Sequence, residues 1–209
     1  MKFLSRIAAI LTVALPVMAS AQTVQLQETV FWEGEVKSGA MDPIELRVPV
    51  NPSVVNMINK GRTYGTQGGN LSTMVTRSKD VRQMVVYGYG RLVGYNEKYE
   101  LVPDILQSVK IAEGRIFTLK LRQGHRWSDG TPFTADAFRY WWDDIVNNEK
   151  LSPSGPPSFL KVDGEYPRVL FPDETTVMFI WQAPNPAFLP RLAQARPPFI
   201  YLPGHYLKQ

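Results

Sequence analysis

Arg126-Trp127-Ser128-Asp129-Gly130-Thr131-Pro132-Phe133-Thr134-Ala135-Asp136 is the stretch from which the fold is read. Its Asp-Gly pair favours a tight turn: glycine accepts a positive φ at no steric cost, and the Asp129 carboxylate can bond backbone amides beyond itself. Thr134 then stands where a helix needs a side-chain acceptor for its first free amides. Asp136 falls in the first turn, where the helix dipole favours a negative charge. Ala137, Phe138, Trp141, Trp142, Ile145 and Val146 recur at helical spacing, so an amphipathic helix follows. Asn147-Asn148 and the run Ser152-Pro153-Ser154-Gly155-Pro156-Pro157 end it.

Upstream lies a hairpin. In the run 116–122, apolar Phe117, Leu119 and Leu121 alternate with Thr118, Lys120 and Arg122, the pattern of a half-buried strand. Ser108-Val109-Lys110-Ile111 precedes it, and Glu113-Gly114 between the two is a hairpin turn. Residues 99–107 contain Pro103 and read as a strand end or turn entering a short helix. The run 81–93 is open between helix and strand. Residues 70–76 (NLSTMVT) read as a short strand after the flexible turn 64–69. Downstream, Pro172-Asp173-Glu174 turns into a strand, Thr175 to Trp181, and Phe188-Leu189 starts a short helix between prolines. Residues 22–62, punctuated by Pro43, Pro49 and Pro52, read as an extended arm with one short helix at most. Strands followed by isolated helices, with no internal repeat, predict a mixed α/β (α+β) lobe.

Composition narrows the function. The chain has 209 residues, 44% of them hydrophobic and 20% charged, which is ordinary globular usage. Lys and Arg number 23 against 19 Asp and Glu; a net charge of +4 without a basic run argues against nucleic acid as a partner. The absence of cysteine excludes disulfides, thiolate metal sites and cysteine nucleophiles. With only two histidines, His125 and His205, no metal centre or metal cofactor is expected. Asp143 and Asp144 are adjacent on the helix and diverge by about 100°, too far to share a proton. No nucleophile elbow, zinc-protease motif or phosphate loop is present in the sequence. No catalytic residue is assigned. Trp127, Trp141, Trp142 and Trp181 are open between ligand stacking and core packing.

The first 21 residues read as a cleaved secretory signal. Lys2 and Arg6 start it, a short apolar run spans 7–18, and Ala19-Ser20-Ala21 is the cleavage site. A run of about twelve residues is short of the roughly 20 a spanning helix needs. Without cysteine at the cleavage site there is no lipid anchor. The protein is therefore expected in the periplasm of a cell with an outer membrane.

Six ordered motifs resemble one family. Residues 126–136 are similar, almost residue for residue, to the "K-W-S-D-G-T-P-x-T-A-x-D" signature of the extracellular solute-binding proteins, family 5. Residues 101–108 resemble its "P-x-L-A-x-S", and residues 116–124 its "Y-T-F-x-L-R-x-G". Asp173-Glu174-Thr175-Thr176-Val177 with the segment 184–189, then residues 202–207, resemble "D-x-x-T-V" with "P-x-P-x-F-L" and "L-P-K-H-Y". Gly68-Gly69-Asn70-Leu71 matches the "G-G-T-L" of a first strand, although 70–74 lack its usual basic, β-branched character.

The resemblance implies the N-terminal lobe of a two-lobed, type II periplasmic binding protein, over residues 63–209 with the second lobe missing. It implies a receptor that hands a small peptide or similar solute to an ABC permease in the inner membrane. Such a receptor is a monomer when complete. It places Thr76-Arg77-Ser78 and Phe159 at the ligand cleft, with Arg77 either pairing a ligand carboxylate or lying exposed on its loop. Trp127, Asp129, Gly130 and Thr134 are expected to shape the lobe without touching ligand. Two other classes are weighed beside this one: a non-functional or interaction-only fragment, and an exported hydrolase built on Asp143, Asp144 or His125.

Overall fold

The computed structural model describes residues 25–55, 57, 61–66, 68–84 and 90–208. The expected signal at 1–21, and residues 85–89 of the run left open between helix and strand, lie outside the described residues.

The fold is built around one hairpin. Strands β3 (Leu106–Ala112) and β4 (Ile116–Leu121) pair antiparallel, from Ala112 against Ile116 to Leu106 against Leu121. Three residues connect them; Glu113 and Gly114 both take positive φ, 52° and 65°, and Arg115 N–H closes the turn on the Ala112 carbonyl at 3.1 Å. Side chains alternate across β4 as the sequence predicts: Phe117, Leu119 and Leu121 are buried, whereas Thr118 and Lys120 are half-buried on the other face. β6 (Thr176–Ile180) pairs with the far edge of β4, Phe117 facing Phe179 and Leu119 facing Val177. β5 (Arg168–Asp173) completes the sheet, in the order β3-β4-β6-β5. Its Pro172 sits on an edge strand, where a missing amide interrupts no inner ladder. A separate ladder joins β1 (Val93–Tyr95) to β2 (Leu101–Pro103).

Helix α3 (Ala135–Arg139) begins at the Thr134 cap and continues as a π-helix, Tyr140–Val146. The sequence predicts one α-helix here. The wider turn keeps Phe138, Trp141 and Val146 buried while Trp142 and Ile145 pack half-buried on the same core. Asn147 closes the helix by donating its side-chain amide to the Trp142 carbonyl at 2.7 Å. Helix α4 (Phe188–Ala193) buries Phe188, Leu189 and Leu192 and packs on β1 and β2. Helix α5 (Gly204–Leu207) is the last element. Trp181 lies in an aromatic cluster, its ring centroid 5.6 Å from that of Phe117 and 4.9 Å from that of Phe188. Its indole N–H donates to the Leu160 carbonyl at 2.7 Å.

The N-terminal arm is more structured than expected. A 3-10 turn (Val30–Trp32) leads into α1 (Glu33–Ser38), and α2 (Ile44–Arg47) follows. The arm is hooked to the lobe through the main chain: Val50 N–H donates to the Gln123 carbonyl at 2.9 Å, and the Arg122 guanidinium donates to the Asn51 carbonyl at 2.8 Å.

Two sequence expectations are corrected. Residues 70–76 form no strand, because no described strand lies beside them to complete a ladder; Leu71 is 83% exposed and Met74 98%. Residues 99–107 contain β2 and the start of β3 and no helix, since Pro103 ends β2 and Asp104 turns the chain directly into β3.

Candidate functional site

The turn at 126–134 is a hub. Trp127 N–H donates to the Thr131 carbonyl at 2.8 Å, and Gly130 N–H donates back to the Trp127 carbonyl at 3.0 Å. Gly130 has φ +85°, which closes the loop. Asp129 Oδ1 accepts from Thr131 N–H at 2.9 Å, and Thr134 Oγ1 accepts from Asp136 N–H at 3.3 Å as the helix cap.

Three distant parts of the chain meet this turn. Arg126 donates through Nε to the Leu46 carbonyl in α2 at 3.0 Å and through Nη1 to the Gly130 carbonyl at 2.8 Å. Ala135 N–H donates to the Glu174 carbonyl at the β5–β6 turn, at 2.7 Å. His205 of α5 lies with Nε2 2.7 Å from Asp129 Oδ2. The Thr131 amide first, then His205, hold the Asp129 carboxyl below its ordinary range. Trp127 packs by its ring, 5.2 Å from Phe133 and 6.0 Å from His205. Nothing local in the sequence indicates the Asp129–His205 pairing, since the two residues stand 76 positions apart.

Thr76 and Arg77 come together around one carboxylate. The Thr76 hydroxyl donates to Asp80 Oδ2 at 3.0 Å, and the Arg77 N–H donates to the same oxygen at 3.2 Å. They start the 3-10 helix Ser78–Gln83. The side chains of Arg77 and Ser78 are exposed. Phe159 sits on another 3-10 turn (Ser158–Leu160), half-buried against the core beside fully buried Leu160.

The groups that could do chemistry are engaged elsewhere or alone. Asp144 pairs with Lys208 Nζ at 2.6 Å. His125 is half-buried with Nε2 lacking a partner among the described residues; burial, then the nearby Arg122 charge, push its pKa down. Among the described residues no group of His, Asp and Glu side chains could hold a metal ion. No helix of the described residues is long and apolar enough to cross a membrane. The four tryptophans left open by the sequence pack into the core or against it: Trp141 and Trp181 are buried, Trp127 and Trp142 half-buried.

The likeness of this fold to solved structures makes it part of the two-lobed periplasmic binding protein class. An oligopeptide-binding protein, OppA, superposes with a TM-score of 0.74 at 28% identity, over 91% of this chain and 29% of that one. A periplasmic binding protein from Agrobacterium fabrum C58, MelB, solved in complex with stachyose, has the same fold, with a TM-score of 0.62 at 24% identity over 85% of this chain and 29% of its own. The sequence model described as "Bacterial extracellular solute-binding proteins, family 5 Middle" matches residues 100–205, and the chain belongs to that family. The periplasmic murein peptide-binding protein MppA of Escherichia coli K12 is 45% identical over 62 residues, 30% of this chain and 12% of MppA. The chain thus spans well under a third of each of these relatives. Members of the family are binding proteins of solute transport and not enzymes, which sets aside the exported hydrolase.

Proposed function

We propose that this chain supplies one wall of the solute cleft in the periplasmic receptor of an ABC importer for peptides or similar small solutes. The observation that carries the reading is the agreement of two likenesses: the family match over 100–205, which contains the whole hub, and the 0.74 TM-score to OppA over 91% of the chain. The hub fixes the start of α3 and ties the arm, the sheet and α5 into one body, so that the lobe can move as a unit when a cleft closes. A leader at 1–21, cleaved and not lipid-anchored, delivers the protein to the periplasm, where the closed receptor engages its permease.

In this reading Thr76, Arg77, Ser78 and Phe159 face the ligand. An exposed guanidinium on a turn braced by Asp80 suits a carboxylate, which it can meet through two parallel hydrogen bonds. Phe159 offers an aromatic edge to an apolar side chain. A second wall is needed to enclose a ligand, so titration of this chain alone with a tripeptide is expected to show weak or no binding.

The test is uptake. Deleting the reading frame in its host should lower accumulation of radiolabelled peptides, and restoring it with Arg77→Ala should recover only part of the rate. Unchanged uptake of peptides, metal chelates and oligosaccharides alike would sink the importer reading. It would leave the interaction-only reading, which the exposed apolar Leu71, Met74 and Val75 favour.

A further inference from the structure

A hollow of about 260 Å³ lies where the β3–β4 hairpin tip meets the proline segment before α4. Its floor is Phe117 and Leu189, and its rim is Pro184, Pro186 and half-exposed Ile111. It shares no residue with Thr76, Arg77, Ser78 or Phe159. The two sides are fastened by backbone: Asn185 N–H donates to the Gly114 carbonyl at 2.9 Å. The lack of a side chain at Gly114 permits the close seat, because a Cβ there would come within 3.3 Å of Pro184 Cβ.

Asn185 also lines the hollow. It is 3% exposed and, like Thr176, a polar residue in the buried set; among the described residues its side-chain Nδ2 has no hydrogen-bond partner. An amide donor buried beside apolar walls and left unpaired is a standing desolvation cost, recovered by an incoming acceptor. The terminal amide torsion is soft, so the donor can turn to meet one. No charged side chain lines the hollow, so an ionic occupant would lose its hydration without a counter-charge. The volume lies below the roughly 300–1,000 Å³ of sites that take drug-sized molecules and far above the about 30 Å³ share of one water.

We propose that this hollow is a binding site for a compact, uncharged, apolar molecule bearing one carbonyl acceptor, held by burial against Phe117 and Leu189 and oriented by a hydrogen bond from Asn185 Nδ2. The site is separate from the solute cleft and does not depend on the importer reading.

The test is titration of the ¹⁵N-labelled full chain with cyclohexanone and, separately, with methylenecyclohexane, which has the same shape without the acceptor. Cyclohexanone should shift the amide signals of Gly114, Asn185 and Leu189 and the Asn185 side-chain pair. Methylenecyclohexane should bind about fivefold more weakly, the value of one hydrogen bond of ordinary strength. Asn185→Leu should erase the difference between the probes. Ile111→Glu, at an exposed rim position that the fold tolerates, should weaken both. Absence of localised shifts with either probe, equal affinity for the two, or a preference for cyclohexanone that survives in Asn185→Leu would each overturn the proposal.

Discussion

The chain holds two regions that both carry many apolar residues and meet opposite fates. Between residues 92 and 200 lie all 21 hydrophobic residues that are buried among those described, drawn from both ladders, α3, α4 and the aromatic cluster. Between residues 25 and 84 none of the described residues is buried, and Val54, Leu71, Met74, Val75 and Val81 stand exposed. The first region is held by area removed from water. The second is held where it touches the first by carbonyl hooks, from Arg122 to Asn51 and from Arg126 to Leu46, while the Arg47–Glu28 pair braces the arm internally. Apolar composition alone therefore does not make a core; a partner strand or helix on the facing side does.

The largest break in the comparison comes from the middle of the sheet. Phe179 is fully buried, faces Phe117 across the β4–β6 ladder and lies 4.9 Å from Phe188 between ring centroids. Phe179→Ala should cost about 3–5 kcal/mol through lost transfer and the cavity left behind. Chemical denaturation should show the midpoint fall accordingly; a loss below about 1 kcal/mol would mean that the cluster collapses around the gap.

A smaller effect tests the hub. Thr134→Ala removes the hydroxyl that accepts from Asp136 N–H and should cost about 1 kcal/mol, typical of a helix cap. Asp129→Ala should lower the thermal midpoint as well, by loosening the turn and removing its contact with His205; an unchanged midpoint would count against a shaping role for the turn. In both variants any residual binding by the intact receptor should persist, because these groups bond within the turn, to the start of α3 and to α5.

Much of the 92–200 region is legible in the sequence because its signals are local. Glu113-Gly114 sets the hairpin, the alternation at Phe117, Leu119 and Leu121 sets the buried face of β4, and Thr134 sets the start of α3. Other features are not local. β5 carries no clean alternation and contains Pro172, so only its pairing with β6 makes it a strand. Residues 70–76 have β-branched content, yet strand preference mostly reports packing against neighbours, and no described strand neighbours them. The π-helical turns at 140–146 leave the spacing of apolar residues close to that of an α-helix. The Asp129–His205 pair and the unpaired Asn185 amide arise from tertiary placement alone. Of the proposed cleft residues, the sequence indicates Arg77 as a loop cation but not the Asp80 brace that orders its turn.

A pH series separates turn chemistry from core packing. Asp173 accepts from the Thr175 N–H and hydroxyl, from the Thr176 hydroxyl and from Lys120. The Thr175 amide and the Thr176 hydroxyl foremost, these donors hold its carboxyl far below the ordinary carboxylate range. A depressed folded pKa stabilises the fold wherever the unfolded carboxyl is ionised, and that stabilisation fades as pH falls through the unfolded value toward the folded one. The wild-type lead over Asp173→Asn should therefore be full near neutral pH and shrink progressively below about pH 4. A lead that does not change between pH 7 and pH 3 would assign the effect to geometry alone. The Phe179→Ala deficit should change little over the same range, since that variant removes no charge.

The smallest effect belongs to the arm and sharpens the comparison most. Met74 is 98% exposed, so Met74→Ser removes no buried area and should change stability by no more than about 0.5 kcal/mol. Leu71→Ser, at 83% exposure, should behave alike. Denaturation of both variants beside Phe179→Ala compares three apolar truncations that differ in burial. If either arm variant costs more than about 1 kcal/mol, a size surface substitutions rarely reach, these side chains are covered in solution. The division between a packed lobe and a hooked arm would then be wrong. If both are neutral here but lower solute uptake in the intact receptor, the arm's apolar residues serve contacts with the rest of that receptor, and their exposure in this chain reflects the absence of those contacts.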